Sequence, residues 1–163
     1  MELSKIQEIA NQILTSLTPF IKQGIITGSI RRQKADCRDI DIVLIPKSDF
    51  MSLVNIKSLL GKQSKKILLN GDKIFRFIRK DDLQIDVYFA NEKDWGAITL
   101  LKTGSKEHNI KLSSMAIKQG WKMTATGLVT GEGIINSEKE ILEKVFGCWV
   151  EPRDRKLNKT GGK

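Results

Sequence analysis

A short apolar segment with two acidic residues at its start most strongly constrains how this chain can fold. Residues 40–45 are branched apolar side chains interrupted only by Asp41, and Asp39 stands directly before them. Such a run is typical of a strand buried inside a sheet. Because successive side chains of a strand point to opposite faces, Asp39 and Asp41 emerge on the same face. Two like charges on one face of a buried strand predict a bound cation.

A later apolar segment contains one more acid. Asp86 interrupts residues 83–89, which are otherwise typical of a strand that could pair beside the first. The three carboxylates are then expected to converge. Hard oxygen ligands suit Mg²⁺, and two such ions would serve an in-line displacement at phosphorus. We therefore predict a site for two Mg²⁺ ions, with Mn²⁺ as a possible substitute.

The segment before the paired acids suits a phosphate group. Gly28 lets the backbone come close to a ligand, Ser29 supplies a hydroxyl, and the N–H groups that follow can form an anion-binding turn. Arg32 can hold two phosphate oxygens at once. Six residues separate Arg32 from Asp39, so we expect the phosphate cradle to lie beside the acids.

Charge indicates a polyanionic partner. The chain has 163 residues, and 28 Lys and Arg against 19 Asp and Glu give a formal net charge of +9. Nucleic acid is the leading candidate for such a basic protein. The N-terminus is polar and no apolar run is long enough to span a bilayer, so we expect neither a membrane span nor a secretory signal. The expected location is intracellular, with cytoplasm, nucleus and viral factory or virion left open.

Hydrophobic periodicity predicts an α+β chain in two lobes. Predicted helices cover residues 4–21, 50–60, 94–101, 106–119 and 137–146, and predicted strands cover residues 25–27, 40–45, 66–69, 74–78, 83–89 and 121–126. The pattern changes near residue 91, from a sheet with helices to mostly helices. We expect a frayed, flexible basic tail from Lys156 to the end, because this segment lacks apolar anchors.

The order of these motifs is similar to that of a known enzyme family. The pattern G-S-x-R-R, six residues, D-x-D and a later I-D-V strand closely resembles the palm of the family X DNA polymerases, within the nucleotidyltransferase superfamily. Thr103-Gly104-Ser105 and the nearby Asn109 resemble the family's thumb segment. Residues 116–121, 137–141 and 151–155 resemble later elements of the same family, so the resemblance covers nearly the whole chain.

The resemblance implies roles for eight residues. The catalytic, metal-binding acids would be Asp39, Asp41 and Asp86, and the nucleotide-binding residues would be Gly28, Ser29, Arg32, Gly104 and Asn109. Gly104 would lie under the incoming nucleotide, and Asn109 would contact the minor-groove edge of its base. The implied fold is a nucleotidyltransferase palm of mixed β-sheet and helices over residues 1–91, followed by a small α+β thumb over residues 92–163.

The resemblance also implies an activity and partners. The chain would be a DNA-directed DNA polymerase that adds deoxynucleotides to a primer 3′ end by two-metal phosphoryl transfer. Its substrates would be primer-template or gapped DNA and deoxynucleoside triphosphates, short-gap filling in DNA repair would be its task, and we expect a monomer. Two alternatives stay open: a template-independent or RNA- or small-molecule-directed nucleotidyltransferase on the same palm, and a catalytically inactive nucleic-acid-binding module.

Departures from the family pattern modify these expectations. Gln84 stands two residues before the third acid, where the family usually has Arg, so a weaker contact to the primer end is expected. Ser113 stands where a minor-groove Arg is common, which makes low fidelity a hypothesis. The palm motif starts at Gly28, so we expect no separate lyase domain and DNA held by palm and thumb surfaces. Basic residues suited to that contact are Lys62, Lys65, Lys66, Lys106, Lys111, Lys118 and Lys122.

Overall fold

Five strands of the N-terminal half form one mixed sheet. The computed structural model describes residues 1–156, so the predicted basic tail beyond Lys156 lies outside the described residues. The strands are β1 (Ile21–Ile26), β2 (Asp39–Pro46), β3 (Ser64–Asn70), β4 (Ile74–Arg79) and β5 (Gln84–Phe89). Their order in the sheet is β1-β2-β5-β4-β3, in which only the β2–β5 pair is parallel.

Two helices cover one face of this sheet. Helix α1 (Leu3–Leu17) buries an apolar stripe. Helix α3 (Phe50–Gln63) is capped by Asp49, whose side chain accepts a hydrogen bond from the Ser52 backbone N–H at 2.7 Å. This cap satisfies one of the free N–H groups at the helix start. The main core between helices and sheet consists of Ile6, Ala10, Ile13, Leu17, Ile30, Cys37, Ile40, Ile42, Leu44, Ile56, Leu60, Phe75, Phe77, Leu83, Ile85, Val87 and Phe89.

The end of α1 differs slightly from the prediction. The helix predicted over residues 4–21 ends at Leu17, and the chain continues as a 3₁₀ turn over Thr18–Phe20 before β1 begins at Ile21. Pro19 has no backbone N–H to donate and its ring crowds the preceding turn, which explains the early end. The strand predicted over residues 25–27 instead covers Ile21–Ile26 and pairs with β2.

The C-terminal half has its own small core. It contains α4 (Trp95–Thr103), α5 (Lys106–Lys118), α6 (Glu138–Phe146) and a three-stranded antiparallel sheet of β6 (Lys122–Thr124), β7 (Gly127–Thr130) and β8 (Gly133–Ile135). The prediction of one strand over residues 121–126 was too simple, because β7 and β8 were missed. Both begin at glycines and are only four and three residues long, so they are too short to give a periodicity signal.

Helix α4 joins the two halves. Its residues Trp95 and Ile98 pack against Val43 and Ile45 on the face of the five-stranded sheet opposite α1 and α3. A second core, among the helices and the small sheet, consists of Ala97, Leu100, Leu112, Ala116, Leu128, Ile141, Leu142 and Val145. The predicted α+β class, with a mixed sheet that carries helices, is confirmed. Among residues 1–156, no helix has the length and hydropathy needed to cross a membrane.

Candidate active site

Two of the three acidic residues, Asp41 and Asp86, lie in one row across the sheet together with Arg76. Asp41 on β2 is the register partner of Asp86 on the parallel strand β5, and Asp86 is in turn the register partner of Arg76 on β4. Register partners share a face of a sheet, so these three side chains project to the same side. That face lies away from α1 and α3, because Ile40 and Ile42 on the alternating positions point into the core.

The segment before β2 forms a short helix beside these acids. Helix α2 (Gly28–Arg31) directly follows Thr27, whose backbone N–H donates to the Asp41 carbonyl at 2.8 Å. Gly28 has a φ of +60°, and a Cβ there would come within 2.1 Å of Asp41 Oδ2. Only glycine permits both this conformation and this approach. The Ser29 hydroxyl is buried and has no partner among the described residues, as expected of a group that awaits a ligand.

Most of the predicted site residues meet at one cavity. It has a volume of about 640 Å³ and lies between the sheet, α2 and the start of α5. Its lining consists of Gly28, Ser29, Arg32, Asp39, Asp41, Tyr88, Leu101, Lys102, Gly104, Lys106, Asn109, Ile110 and Ser113. Seven of the eight residues predicted from sequence are therefore brought together. The eighth, Asp86, does not line the cavity.

Asp86 is instead enclosed by hydrogen bonds. Its Oδ1 accepts from Arg76 Nε at 2.8 Å and from Gln84 Nε2 at 3.1 Å, and its Oδ2 accepts from Arg76 Nη2 at 2.6 Å. The Tyr88 hydroxyl lies between Asp86 Oδ2 and Asp41 Oδ1, at 3.1 Å and 3.4 Å. Within residues 1–156, no group of three His, Cys, Asp or Glu side chains is arranged to hold a metal ion. The bidentate pair with Arg76 occupies both oxygens of the third acid.

Electrostatics nevertheless favour a cation beside Asp41. Burial raises the pKa of Asp41 to about 7, and the negative charges of Asp39 and Asp86 add to the effect. A divalent cation in the cavity would relieve this repulsion. The donors facing the cavity are carboxylate oxygens, which are the ligands that Mg²⁺ and Mn²⁺ take in proteins. The residues present therefore fit the predicted metal chemistry.

The opposite wall of the cavity is built around Gly104. Arg32 Nη1 donates to the Thr103 carbonyl at 2.5 Å, and a Cβ on Gly104 would meet the same nitrogen at 3.1 Å. The turn thus brings the guanidinium of the phosphate cradle against the start of α5. Asn109 donates its Nδ2 to the Leu101 carbonyl at 2.7 Å, which fixes the side chain, and its buried Oδ1 has no partner in the described part of the chain.

Three functional side chains were missed or undervalued by sequence reasoning. Arg76 is an ordinary basic residue in a strand, and only the β4–β5 register reveals that it faces Asp86. Tyr88 was not among the predicted site residues, although its hydroxyl lies between two carboxylates. Lys102 lies with Nζ 4.3 Å from the centre of the Tyr88 ring and contributes a positive charge near Asp41. The alternation in residues 84–88 places Tyr88 on the face of Asp86, and that signal was available.

A second group of charges ties α2 to the C-terminal elements. Arg31 Nη1 and Nη2 donate to the two carboxylate oxygens of Glu138 at 2.7 and 3.0 Å, and Arg155 Nη1 donates to Glu138 Oε1 at 2.7 Å. Arg31 also donates to the Thr103 hydroxyl at 2.7 Å. Arg155 is completely buried. Glu138 and Arg155, from the sequence segments 137–141 and 151–155, thus hold Arg31 at the end of α2, next to the cavity.

Comparison with known proteins agrees with this arrangement. The sequence model of the DNA polymerase beta thumb family matches residues 98–156. The DNA polymerase/3′-5′ exonuclease PolX of Bacillus subtilis is 26% identical over 132 residues, which are 76% of this chain and 22% of that protein. The repair DNA polymerase X of African swine fever virus is 22% identical over 142 residues, which are 82% of each chain. The chain therefore spans about a fifth of the bacterial relative and most of the viral one.

Asp41 and Asp86 lie on neighbouring parallel strands, and the helix that begins at Gly28 lies beside them. Together with the thumb match over the C-terminal residues, this arrangement defines a palm and thumb fold of the nucleotidyltransferase class. Within that class, the thumb match and the two polymerase relatives show that the chain is similar to family X of the DNA polymerases.

Proposed function

We propose that this chain is a DNA-directed DNA polymerase that adds deoxynucleotides to a primer 3′ end and fills short gaps. The observation that carries the proposal is the single cavity lined by both the phosphate cradle and two carboxylates. In the reaction, the primer 3′-hydroxyl oxygen attacks the α-phosphorus of a deoxynucleoside triphosphate and pyrophosphate leaves. Positioning and charge stabilisation account for most catalysis in such transfers.

The phosphate cradle would hold the triphosphate. Ser29 has a free hydroxyl, and the first backbone N–H groups of α2 have no acceptor within so short a helix. Arg32 is anchored by one nitrogen on the Thr103 carbonyl, which leaves other guanidinium donors for phosphate oxygens. This anchorage orients the leaving group with little loss of conformational entropy.

The three acids would hold the divalent cations. Asp39 and Asp41 face the cavity, and Asp86 lies beside Asp41 in the sheet. When bound there, Mg²⁺ or Mn²⁺ would neutralise the triphosphate and lower the pKa of the attacking hydroxyl. Without a cation, burial raises the pKa of Asp41, and the negative charges of Asp39 and Asp86 raise it further. The site is therefore built to bind charge of the opposite sign.

The base and the DNA would contact α5. Asn109 is fixed through Nδ2, so its unpartnered Oδ1 offers one acceptor to the base of the nucleotide. Lys106, Lys111 and Lys118 are exposed on the same helix, and Lys62, Lys65 and Lys66 are exposed near the start of β3. Contacts from such residues to DNA phosphates release counterions, so binding should weaken steeply with salt.

The lobes would correspond to the two functional parts. We propose that residues up to about 91 form the palm and that the residues after it form the thumb, in a monomer. The two separate apolar cores support this division, with α4 as the connection.

A nucleotide-incorporation assay tests the proposal. Gapped DNA, single-stranded DNA and RNA are each offered with labelled nucleotides, and we expect templated growth of the primer at the gap. Asp41→Ala should abolish incorporation, because it removes a carboxylate from the cavity. Asp72→Ala is a matched control, since Asp72 is exposed outside the site and its loss should leave the rate unchanged.

The other outcomes identify the alternatives. Growth without regard to the template base, or growth of RNA alone, would indicate another nucleotidyltransferase on the same palm. DNA binding without incorporation under any condition would indicate an inactive binding module. Full activity of Asp41→Ala would contradict the assignment of the site.

A further inference from the structure

The third acid of the site is held differently from the other two. Asp86 accepts four hydrogen bonds, two of them from the guanidinium of Arg76, and its side chain is only 6% exposed. Among residues 1–156, the side chain of Asp41 accepts only the 3.4 Å contact from the Tyr88 hydroxyl. One carboxylate is therefore saturated while its neighbour in the row is not.

Arg76 is well placed to release as well as to hold Asp86. Its side chain is 33% exposed and lies on the sheet face away from the main core. Part of the Arg76 side chain is therefore already in contact with solvent. The guanidinium of Arg76 carries its positive charge at every working pH. A fixed positive charge beside Asp86 competes directly with any cation that needs the same oxygens.

Given the proposed function, we propose that Arg76 is a positioning residue. It binds both oxygens of Asp86 and thereby sets how tightly a divalent cation binds at that carboxylate. In the free protein, Arg76 takes the place of the ion and keeps the buried charge of Asp86 neutralised. Binding of the ion that uses Asp86 then requires the guanidinium to give up both oxygens. Asp39 and Asp41 are open to the cavity and carry no such cost.

The same strand provides a matched control. Arg79 on β4 pairs with Asp81 in the same bidentate manner, with Nε to Oδ1 at 2.9 Å and Nη2 to Oδ2 at 2.6 Å. Asp81 is exposed and does not line the cavity. Arg79→Gln therefore removes an equivalent ion pair from the same strand without touching the site.

The test measures Mn²⁺ binding by electron paramagnetic resonance, with a deoxynucleoside triphosphate whose α,β-bridging oxygen is replaced by a methylene group. Arg76→Gln should strengthen Mn²⁺ binding at the site that uses Asp86 by at least about tenfold, because it removes both charge-assisted hydrogen bonds of the guanidinium to that carboxylate. Arg76→Lys keeps the charge but loses the fork, so its gain should be smaller. Arg79→Gln should leave both affinities within twofold of the unmodified chain.

A double variant shows whether the effect passes through Asp86. In Arg76→Gln, the further change Asp86→Asn should remove the gain. Unchanged or weaker Mn²⁺ binding in Arg76→Gln and Arg76→Lys, with nucleotide-dependent binding intact, would overturn the role of Arg76 alone. Absence of Mn²⁺ binding in the unmodified chain would instead contradict the proposed function and this inference with it. Circular dichroism of each variant verifies that the comparison is made on folded protein.

Discussion

Two groups of charged side chains lie side by side in this molecule, and they are neutralised to different degrees. The active-site group, Asp39, Asp41 and Asp86, contains three carboxylates with one bidentate arginine, and the pKa of Asp41 rises to about 7. In the support group, Arg31, Glu138 and Arg155, burial alone would raise the pKa of Glu138, yet the two arginines outweigh it and hold that pKa below its usual value. On the proposed function, this difference separates a group that stabilises the fold from one that would bind a ligand.

The largest expected effect is in the support group. Glu138→Gln leaves the guanidinium groups of Arg31 and Arg155 buried without a counter-charge, and Arg155 is fully buried. Breaking a buried pair from one side costs about 3–5 kcal/mol. We expect a fall in Tm of roughly 10 °C in thermal unfolding. Glu140→Gln, an exposed change in the same helical turn, should leave Tm within about 1 °C.

The second prediction concerns the active-site group and has the opposite sign. Asp41→Asn should stabilise the metal-free protein at pH 8 by about 1–3 kcal/mol, because it removes a buried charge that is repelled by its neighbours. Urea unfolding in EDTA measures the difference. A loss of stability in this variant would mean that the carboxylate is structural, and the contrast between the two groups would fail.

The pH dependence follows from the same residue. A carboxyl group whose pKa is about 7 in the folded state and about 4 in the unfolded state keeps its proton longer when folded. Its contribution to stability is therefore lost as pH rises from about 4 to 7 and changes no further above that range. In Asp41→Asn this decline should be absent.

These contrasts mark where sequence reasoning succeeds. Motif spacing brought Gly28, Ser29, Asp39 and Asp41 to one cavity because strand alternation and a short connection fix their relations locally. The position of Arg76 opposite Asp86 depends on how β4 pairs with β5. A local sequence pattern does not determine that register. The bonds of Glu138 to Arg31 and Arg155 likewise join segments far apart in the chain. Sequence patterns therefore do not predict which arginines neutralise the buried carboxylates, because the partners lie on different elements of the fold.

A third prediction uses His108, which is buried beside the support group. Burial lowers the pKa of His108 to about 4, and the charges of Arg155 and Lys111 add to this effect. The folded state therefore binds fewer protons than the unfolded state between about pH 6.5 and 4, and stability falls as pH decreases through that range. His108→Leu should differ little at pH 7.5 and be more stable than the unmodified chain by about 1–2 kcal/mol at pH 5.

The His108 variant keeps the apolar contact with the Phe146 ring, whose centre lies 5.4 Å from that of the imidazole. Neither ring nitrogen of His108 has a partner in the described part of the chain, so leucine removes no hydrogen bond seen there. Equal acid sensitivity in both proteins would show that the support group tolerates an additional positive charge. A protonated His108 beside Arg31, Glu138 and Arg155 would then not lower the stability of the folded state.

The smallest effect is expected at an exposed ion pair. Lys22 Nζ lies 3.2 Å from Glu92 Oε1 and joins β1 to the segment that leads into α4, with side chains 45% and 73% exposed. Solvent screens such a pair and its formation costs side-chain entropy, so Glu92→Gln should change the free energy of unfolding by at most about 0.5 kcal/mol. Glu138→Gln makes the same substitution at a buried carboxylate. If urea unfolding gave similar losses for both variants, burial would not be what separates a stabilising charge from an incidental one in this fold.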